Sequence, residues 1–163
     1  MTQYGTNFKA YLKVPTANGT MKDVTAPHGS YTVGTVWNDN YNGSTQCAGF
    51  ARLIFNTWCG TNGTDLNTIT PASNSALQTY INRLHPGSRL RAYKQVSSDG
   101  HSMVVIDKTS SGIYVYHSNF GEDNKIQITY FSFTDLRNRW NSFRGVTYNG
   151  NNYNGSWDVS MIL

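Results

Sequence analysis

Charged residues are scarce in this chain of 163 residues, where Asp, Glu, Lys and Arg together make up 13%. That is about half the share found in an average soluble protein. Aromatic residues also reach 13%. Disordered chains combine high charge with few aromatic residues, so the composition excludes disorder. Without many Lys or Glu residues, and without a persistent heptad, a coiled coil is excluded as well. We expect one folded domain over residues 1–163.

Long apolar runs are also missing. The longest stretches, such as residues 103–106, fall far short of the ~20 residues that cross a bilayer, so we expect no membrane span. Residues 1–8 do not show the basic stretch and apolar stretch of a signal peptide. We therefore expect a mature chain or an excised domain. The abundance of Asn, Gly, Ser, Thr and Tyr is typical of extracellular proteins, and we expect a secreted or cell-surface protein.

The positive charge is mild and dispersed. The net charge is +4, and the basic residues are scattered apart from Arg89 with Arg91 and a group formed by Arg137, Arg139 and Arg144. A dispersed excess favours anionic surfaces in general and does not indicate nucleic acid. We expect no nucleic-acid partner, whereas the anionic polymers of a bacterial cell wall would suit this charge.

The two cysteines, Cys47 and Cys59, flank a segment with helical periodicity. Twelve residues of helix span about 18 Å, whereas a disulfide needs Cα atoms within about 7 Å. We therefore expect no bond between them. The chain has no closely spaced ligand pairs of the kind that bind metals. The loop at residues 38–43 alternates like a calcium loop but carries Asn at ligand-like positions. We predict no metal and no other cofactor.

The order of the predicted elements indicates an α+β fold. Turns and short β-like pieces, at 11–14 and 31–37, precede a helix that begins near Ser44 or Thr45 and stops at Gly60. The later elements are a helix at 73–84, strands at 89–96, 101–108, 113–119 and 125–133, a short helix at 134–140, and a hairpin around 149–154. This order predicts N-terminal helices packed on an antiparallel sheet.

Cys47 falls in the first turn of the first predicted helix. Backbone N–H groups and the positive end of the helix dipole favour a thiolate at that position. The thiolate is the nucleophilic form, and a histidine on a following strand would complete a pair suited to covalent acyl transfer. The backbone N–H of Cys47 can also donate to an oxyanion.

His101 opens a predicted strand, and the next strand carries His117 and Asn119. If an odd-length loop centred on Ser110 joins the two strands, Asn119 lies opposite His101 and His117 lies diagonally beside it on the same face. An even loop places both on the wrong face unless a bulge intervenes. Either residue could hold the imidazole in the tautomer that accepts a thiol proton.

Four local motifs resemble those of CHAP and NlpC-type cysteine amidases and peptidases. Residues 46–52 (QCAGFAR) resemble the start of their nucleophile helix, and residues 86–91 (PGSRLR) resemble the turn before their first core strand. Residues 100–105 (GHSMVV) resemble the strand of the general base, and residues 115–120 (VYHSNF) resemble the strand after it. The resemblance covers about residues 37–133. It implies a papain-like fold with the nucleophile at a helix N-terminus.

The resemblance also implies the roles of the site residues. Cys47 would be the nucleophile, and His101 would act as general base and then as general acid. In CHAP domains the following strand often offers an acidic residue and, two positions on, an Asn. His117 and Asn119 occupy those places here, and NlpC-type members use a His. The third catalytic residue is therefore either Asn119 or His117.

Three residues near Cys47 are candidates for the oxyanion hole or for substrate binding. Gln46 precedes the nucleophile, while Trp37 and Tyr41 stand in the loop before it. The same two aromatic residues also suit packing in the core or at its rim.

These features predict a cysteine amidase or endopeptidase that hydrolyses amide bonds through a thioester, with peptidoglycan as the substrate that the resemblance implies. A second interpretation keeps the catalytic residues and takes protein as substrate, as a peptidase, deamidase or transglutaminase of a toxin or effector. A third is a carbohydrate-binding or adhesive domain without catalysis, in which Cys47 is buried and inert. In each case we expect a monomer.

Overall fold

The computed structural model describes residues 13–15, 21–23, 34–59, 63–85, 87–97, 99–121 and 124–148. This part of the chain has an α+β fold, as predicted. Its elements in chain order are β1 (Lys13–Pro15), β2 (Met21–Asp23), α1 (Cys47–Cys59), β3 (Gly63–Ile69), α2 (Asn74–Ile81), β4 (Arg89–Tyr93), β5 (Gly100–Lys108), β6 (Gly112–Ser118), β7 (Ile126–Ser132), α3 (Phe133–Arg139) and β8 (Ser142–Tyr148).

Six strands form one antiparallel sheet in the order β3–β8–β4–β5–β6–β7, and β1 pairs with β2 in a separate two-stranded sheet. The run β4–β5–β6–β7 is the predicted meander, in which each strand pairs with the next along the chain. The last strand, β8, does not continue the meander. It lies between β3 and β4 and pairs with both. The sheet therefore joins segments that are distant in sequence.

The two faces of the sheet pack against different helices. Side chains alternate between the faces along each strand, so neighbouring residues belong to different layers. On one face α1 packs through Phe50 and Ile54 against the side chains of Val104 and Tyr116. On the other face α2 and α3 cover a larger cluster. That cluster includes Leu77, Ile81, Leu90, Ala92, Met103, Val105, Val115, Leu136, Trp140 and Phe143.

At the N-terminus of each helix in the described part of the chain, a serine side chain accepts hydrogen bonds from backbone N–H groups. Ser44 Oγ accepts hydrogen bonds from the backbone N–H groups of Gln46 and Gly49 at the start of α1. Ser73 caps α2 by accepting from Ala76 N. Ser132 and Asp135 form a capping box at the start of α3, in which the side chain of each accepts a hydrogen bond from the backbone N–H of the other. These residues satisfy N–H groups that have no partner inside the helix.

A bulge sets the register between β5 and β6. Near the turn, Lys108 lies opposite Ile113, which corresponds to an even loop. The register shifts between Val105 and Asp107, and beyond it Val104 lies opposite Tyr116. This is the combination of an even loop and a bulge that the sequence left open. It brings His101 and His117 to the same face of the sheet.

Two features depart from the predicted elements. Strand β3 was not predicted, because it is an edge strand with a single buried residue, Leu66, and shows no apolar alternation. In the segment 31–37, the described residues form a loop with one isolated bridge, from Val36 to Lys125. The predicted hairpin around residues 149–154 lies outside the described residues.

Candidate functional site

Cys47 is the first residue of α1 and is a free thiol with 9% of its surface exposed. The Sγ atom lies 4.0 Å from Nη1 of Arg91, a residue of β4. The same nitrogen donates a hydrogen bond of 3.1 Å to Ser102 Oγ on β5. The thiol thus lies at the N-terminal turn of a helix and beside a guanidinium group, so the helix dipole and Arg91 both place positive charge near the sulfur.

A cleft of about 510 Å³ lies beside this thiol. Ala48, which follows Cys47, is part of its wall, and side chains from α1, β3, β4, β5 and β8 form the rest. We name it the arginine cleft after its four arginines. Its lining residues are Ala48, Arg52, Asp65, Arg89, Leu90, Arg91, Ser102, Arg144 and Val146.

The charges in the arginine cleft are unbalanced. Arg144 forms an ion pair with Asp65, and this hydrogen bond holds the pKa of the Asp65 carboxyl below its usual value. Arg52, Arg89 and Arg91 form no ion pair with any residue that the structure describes. Burial lowers the pKa of Arg89, and the neighbouring charge of Arg52 lowers it further. The arginines therefore repel one another in the absence of an anion.

Arg89 is positioned by its apolar surroundings. Its guanidinium carbon lies 5.3 Å from the centre of the Phe55 ring, a contact between a cation and an aromatic face. Its Nε atom is buried and has no hydrogen-bond partner among the described residues. A buried donor without a partner is unfavourable, so a ligand oxygen that accepted from it would be stabilised.

His101 and His117 contact each other on the opposite face of the sheet from Cys47. The distance between His101 Nε2 and His117 Nδ1 is 2.8 Å, and His117 Nε2 lies 2.8 Å from Thr129 Oγ1. Their rings pack against Phe120, and His101 also stacks on Trp140. Burial lowers the pKa of His101 to about 2, assisted by the charges of His117, Arg91 and Arg139, and burial lowers that of His117 to about 3.

The structure does not place His101 beside the thiol, which corrects the expected pairing of Cys47 with His101. Strand alternation is the reason. Ser102 lies on the face of α1, where Arg91 connects it to Cys47, so its neighbour His101 lies on the face of α2 and α3. No hydrogen bond joins Cys47 to either His101 or His117 in the described residues. Buried neutral imidazoles on the far face cannot take the thiol proton directly.

The two candidates for the residue that orients His101 differ in position. His117 hydrogen-bonds His101 directly, as described above. Asn119 follows the end of β6 in a left-handed backbone conformation, with φ of 58°, and forms no hydrogen bond with His101. A strand that has ended no longer holds its residues in register, so the position opposite His101 is lost. Of the two, His117 is the one that hydrogen-bonds His101.

Trp37, Tyr41 and Gln46 also fall in different surroundings. Trp37 is 1% exposed and packs edge-on against Phe50, so it belongs to the core and does not face a substrate, contrary to one of its two predicted roles. Tyr41 is half-buried, and its hydroxyl accepts a hydrogen bond from Asn56 Nδ2. Gln46 is exposed immediately before α1. Of the three, Gln46 remains next to the thiol and open to solvent.

The loop at residues 38–43 is a turn. Asn40 Oδ1 accepts a hydrogen bond from Gly43 N, and both Asn42 and Gly43 have positive φ. Within the described ranges, no group of three or more His, Cys, Asp or Glu residues lies close enough together to hold a metal ion.

Sequence reasoning missed the arginine cleft. The sequence feature that could have revealed it is the alternation Arg89-Leu90-Arg91, because residues two positions apart on a strand lie on the same face. Arg52 and Arg144, however, are distant from that pair in the chain. Only the pairing of β8 with β4 and the packing of α1 on the sheet bring them together.

The fold and the site thus define an α+β protein with an arginine-lined cleft next to a cysteine at a helix N-terminus. No family model matches the chain, and no curated protein or solved structure matches it. The resemblance of the local motifs to CHAP and NlpC-type enzymes therefore stays a prediction. None of the helices in the described part of the chain has the length and apolar character needed to cross a membrane.

Proposed function

We propose that the protein is a cysteine hydrolase whose nucleophile is Cys47 and whose substrate binds in the arginine cleft. The observation that carries this proposal is the position of Cys47 Sγ, at the first turn of α1 and 4.0 Å from the guanidinium of Arg91. A thiol in such an electropositive place is a good nucleophile. Ala48, the residue after Cys47, lines the cleft, so the proposal places the substrate next to the helix turn that carries the sulfur.

The proposed reaction is hydrolysis of an amide through a thioester. The thiolate of Cys47 attacks the carbonyl carbon, and the backbone N–H groups at the start of α1 donate to the oxygen that becomes negative. The C–N bond then breaks, and the amine leaves with a proton from water in the cleft. The hydroxide left by that proton transfer attacks the thioester, releasing the carboxylic acid and the thiolate. Arg91 supplies positive charge beside the reacting sulfur and does not take the general-base role that the sequence assigned to His101.

The finer features of the proposal come from the local motifs. The resemblance to CHAP and NlpC-type enzymes supports a papain-like fold, peptidoglycan as the substrate, and a secreted or cell-surface location. A protein-directed peptidase, deamidase or transglutaminase would use the same thioester with another substrate. Release of ammonia or peptide from protein glutamine, with no action on cell walls, would favour that second substrate class.

Hydrolysis of purified peptidoglycan tests the proposal, with new amino groups as the readout. We expect Cys47→Ala to abolish activity and Cys59→Ser to preserve it. Arg91→Gln should lower kcat/KM by roughly 10²-fold, because it removes a charge beside the reacting sulfur. Arg91→Gln should also impair turnover more than His101→Gln does. Full activity in Cys47→Ala would contradict the mechanism, and the reverse order of the last two variants would contradict the role of Arg91.

A second candidate function is a binding module without catalysis. The observation that favours it is the burial of His101 and His117 on the far face of the sheet, which leaves neither of these two imidazoles near the thiol. Under this alternative, wild type and Cys47→Ala bind cell walls equally and neither releases amino groups. Any hydrolysis that Cys47→Ala abolishes would rule it out.

A further inference from the structure

We infer that the arginine cleft recognises an acidic peptide segment, which presents at least two carboxylates to Arg52, Arg89 and Arg91. This inference deepens the proposed function and rests on it in one respect, since it takes the cleft as the substrate site. Binding itself needs no reaction at Cys47, so the two can be tested separately.

Three guanidinium groups that have no carboxylate partner among the described residues converge on the cleft. Arg89 and Arg91 come from alternate positions of β4 and therefore share a face, while Arg52 comes from α1, which packs on that face. Each of the three is half-buried. Arg144, at the rim, is already neutralised by Asp65. A stable protein rarely buries several like charges side by side unless an anion completes the arrangement.

The guanidinium groups favour bound oxyanions over water. Arg91 Nη1 is held by Ser102 Oγ, and Arg89 rests on the Phe55 ring, so both are restrained before a ligand arrives. A guanidinium group is planar, and when it is restrained it binds a carboxylate through two parallel hydrogen bonds. Two carboxylates would also relieve the repulsion between Arg52 and Arg89.

The shape of the charge distribution favours a short acidic peptide over nucleic acid. The cleft volume of about 510 Å³ lies within the roughly 300–1,000 Å³ typical of sites for small ligands. Nucleic acid is usually bound by a positive stripe along a surface, interleaved with aromatic faces for the bases. Here the described residues that line the cleft include no aromatic side chain, and Phe55, on which Arg89 packs, is buried.

Isothermal titration at low ionic strength tests the inference, with a Glu-Glu dipeptide blocked at both ends as the probe. A blocked Gln-Gln dipeptide and inorganic phosphate are the comparison ligands. We expect Glu-Glu to bind wild type and Cys47→Ala alike. Arg52→Gln and Arg89→Gln should each weaken it roughly 10-fold or more, because each removes charge-assisted hydrogen bonds. Arg83→Gln removes the same charge from an exposed position outside the cleft and is the matched control.

The outcomes separate the inference from the proposed function. Loss of binding in Arg52→Gln but not in Arg83→Gln supports the inference, and it does so even if no amide is hydrolysed. Equal affinity for Glu-Glu and Gln-Gln overturns it, as does equal weakening by Arg83→Gln. Tighter binding of phosphate than of Glu-Glu assigns the cleft to phosphate and also overturns it. Because Arg52 lies on a helix surface, its variant tests the inference even if Arg89→Gln does not fold.

Discussion

The buried pair His101 and His117 makes the fold sensitive to mild acid. Both rings are almost fully buried, and burial holds the pKa of each far below the value of 6.5 for an exposed histidine. As the pH falls below 6.5, the unfolded chain takes up two protons that the folded chain does not. Since the unfolded state then binds more protons, the free energy of unfolding decreases with falling pH.

The size of the effect follows from the same values. With folded pKa values of about 2 and about 3, both rings stay neutral in the folded state at pH 5. Protonation of each histidine in the unfolded chain then lowers the free energy of unfolding by about 2 kcal/mol relative to pH 7.5, or about 4 kcal/mol for the pair. This is a large part of the roughly 5–15 kcal/mol that stabilises a typical domain.

Urea unfolding between pH 7.5 and pH 5 measures this loss. The matched variants are His117→Gln, which should lose about 2 kcal/mol of the pH dependence, and the double variant His101→Gln with His117→Gln, which should lose about 4 kcal/mol of it. Each variant is compared with itself at pH 7.5, so a general loss of packing does not affect the comparison. His85→Gln is the comparison variant: burial also lowers the pKa of this less buried histidine, so its substitution should remove a smaller part of the pH dependence. Equal pH dependence in wild type and the double variant would refute the reasoning.

Three single substitutions test how the sheet is held together, each by chemical unfolding at neutral pH. Tyr80→Phe removes the hydroxyl that accepts from the buried Gly145 N, and it should cost about 1–3 kcal/mol; a change below a few tenths would contradict this. Gly145→Ala should destabilise by about 1–3 kcal/mol, because its Cβ would lie 2.5 Å from a methyl carbon of Leu84, and an unchanged urea midpoint would be the opposing result. Ser132→Ala should cost about 1 kcal/mol by breaking the capping box with Asp135, whereas Ser132→Thr should retain most of it.

The local elements around the site were predictable because short-range patterns determine them. The apolar spacing from Phe50 to Trp58 and the serine before it define α1, and Cys47 at its start follows directly. The continuous apolar run at residues 103–106 indicates β5 from its local sequence as well. These patterns involve residues that are only a few positions apart in the chain. They can therefore be recognised in one sequence without knowledge of the tertiary structure.

The relation between Cys47 and His101 could not be read from the motifs. Both residues stand where the motifs suggest, one at a helix start and the other at a strand start. Which face of the sheet α1 covers depends on all the strands that it packs against, and a shift of one residue exchanges the faces. The bulge near Ile106 is one such shift, and it explains why His101 meets His117 even though the loop is even.

The sequence by itself determined the α+β class, the start of α1 at the cysteine, and the meander from β4 to β7, because each rests on periodicity and capping within short segments. Only the tertiary structure decided that β8 lies between β3 and β4 and that the histidines lie on the far face from the thiol. It also decided that Arg52, Arg89 and Arg144 share one cleft. The physical reason is that contacts between distant segments form when their apolar faces are buried together. The spacing of these residues in the sequence does not predict which segments will pack against each other.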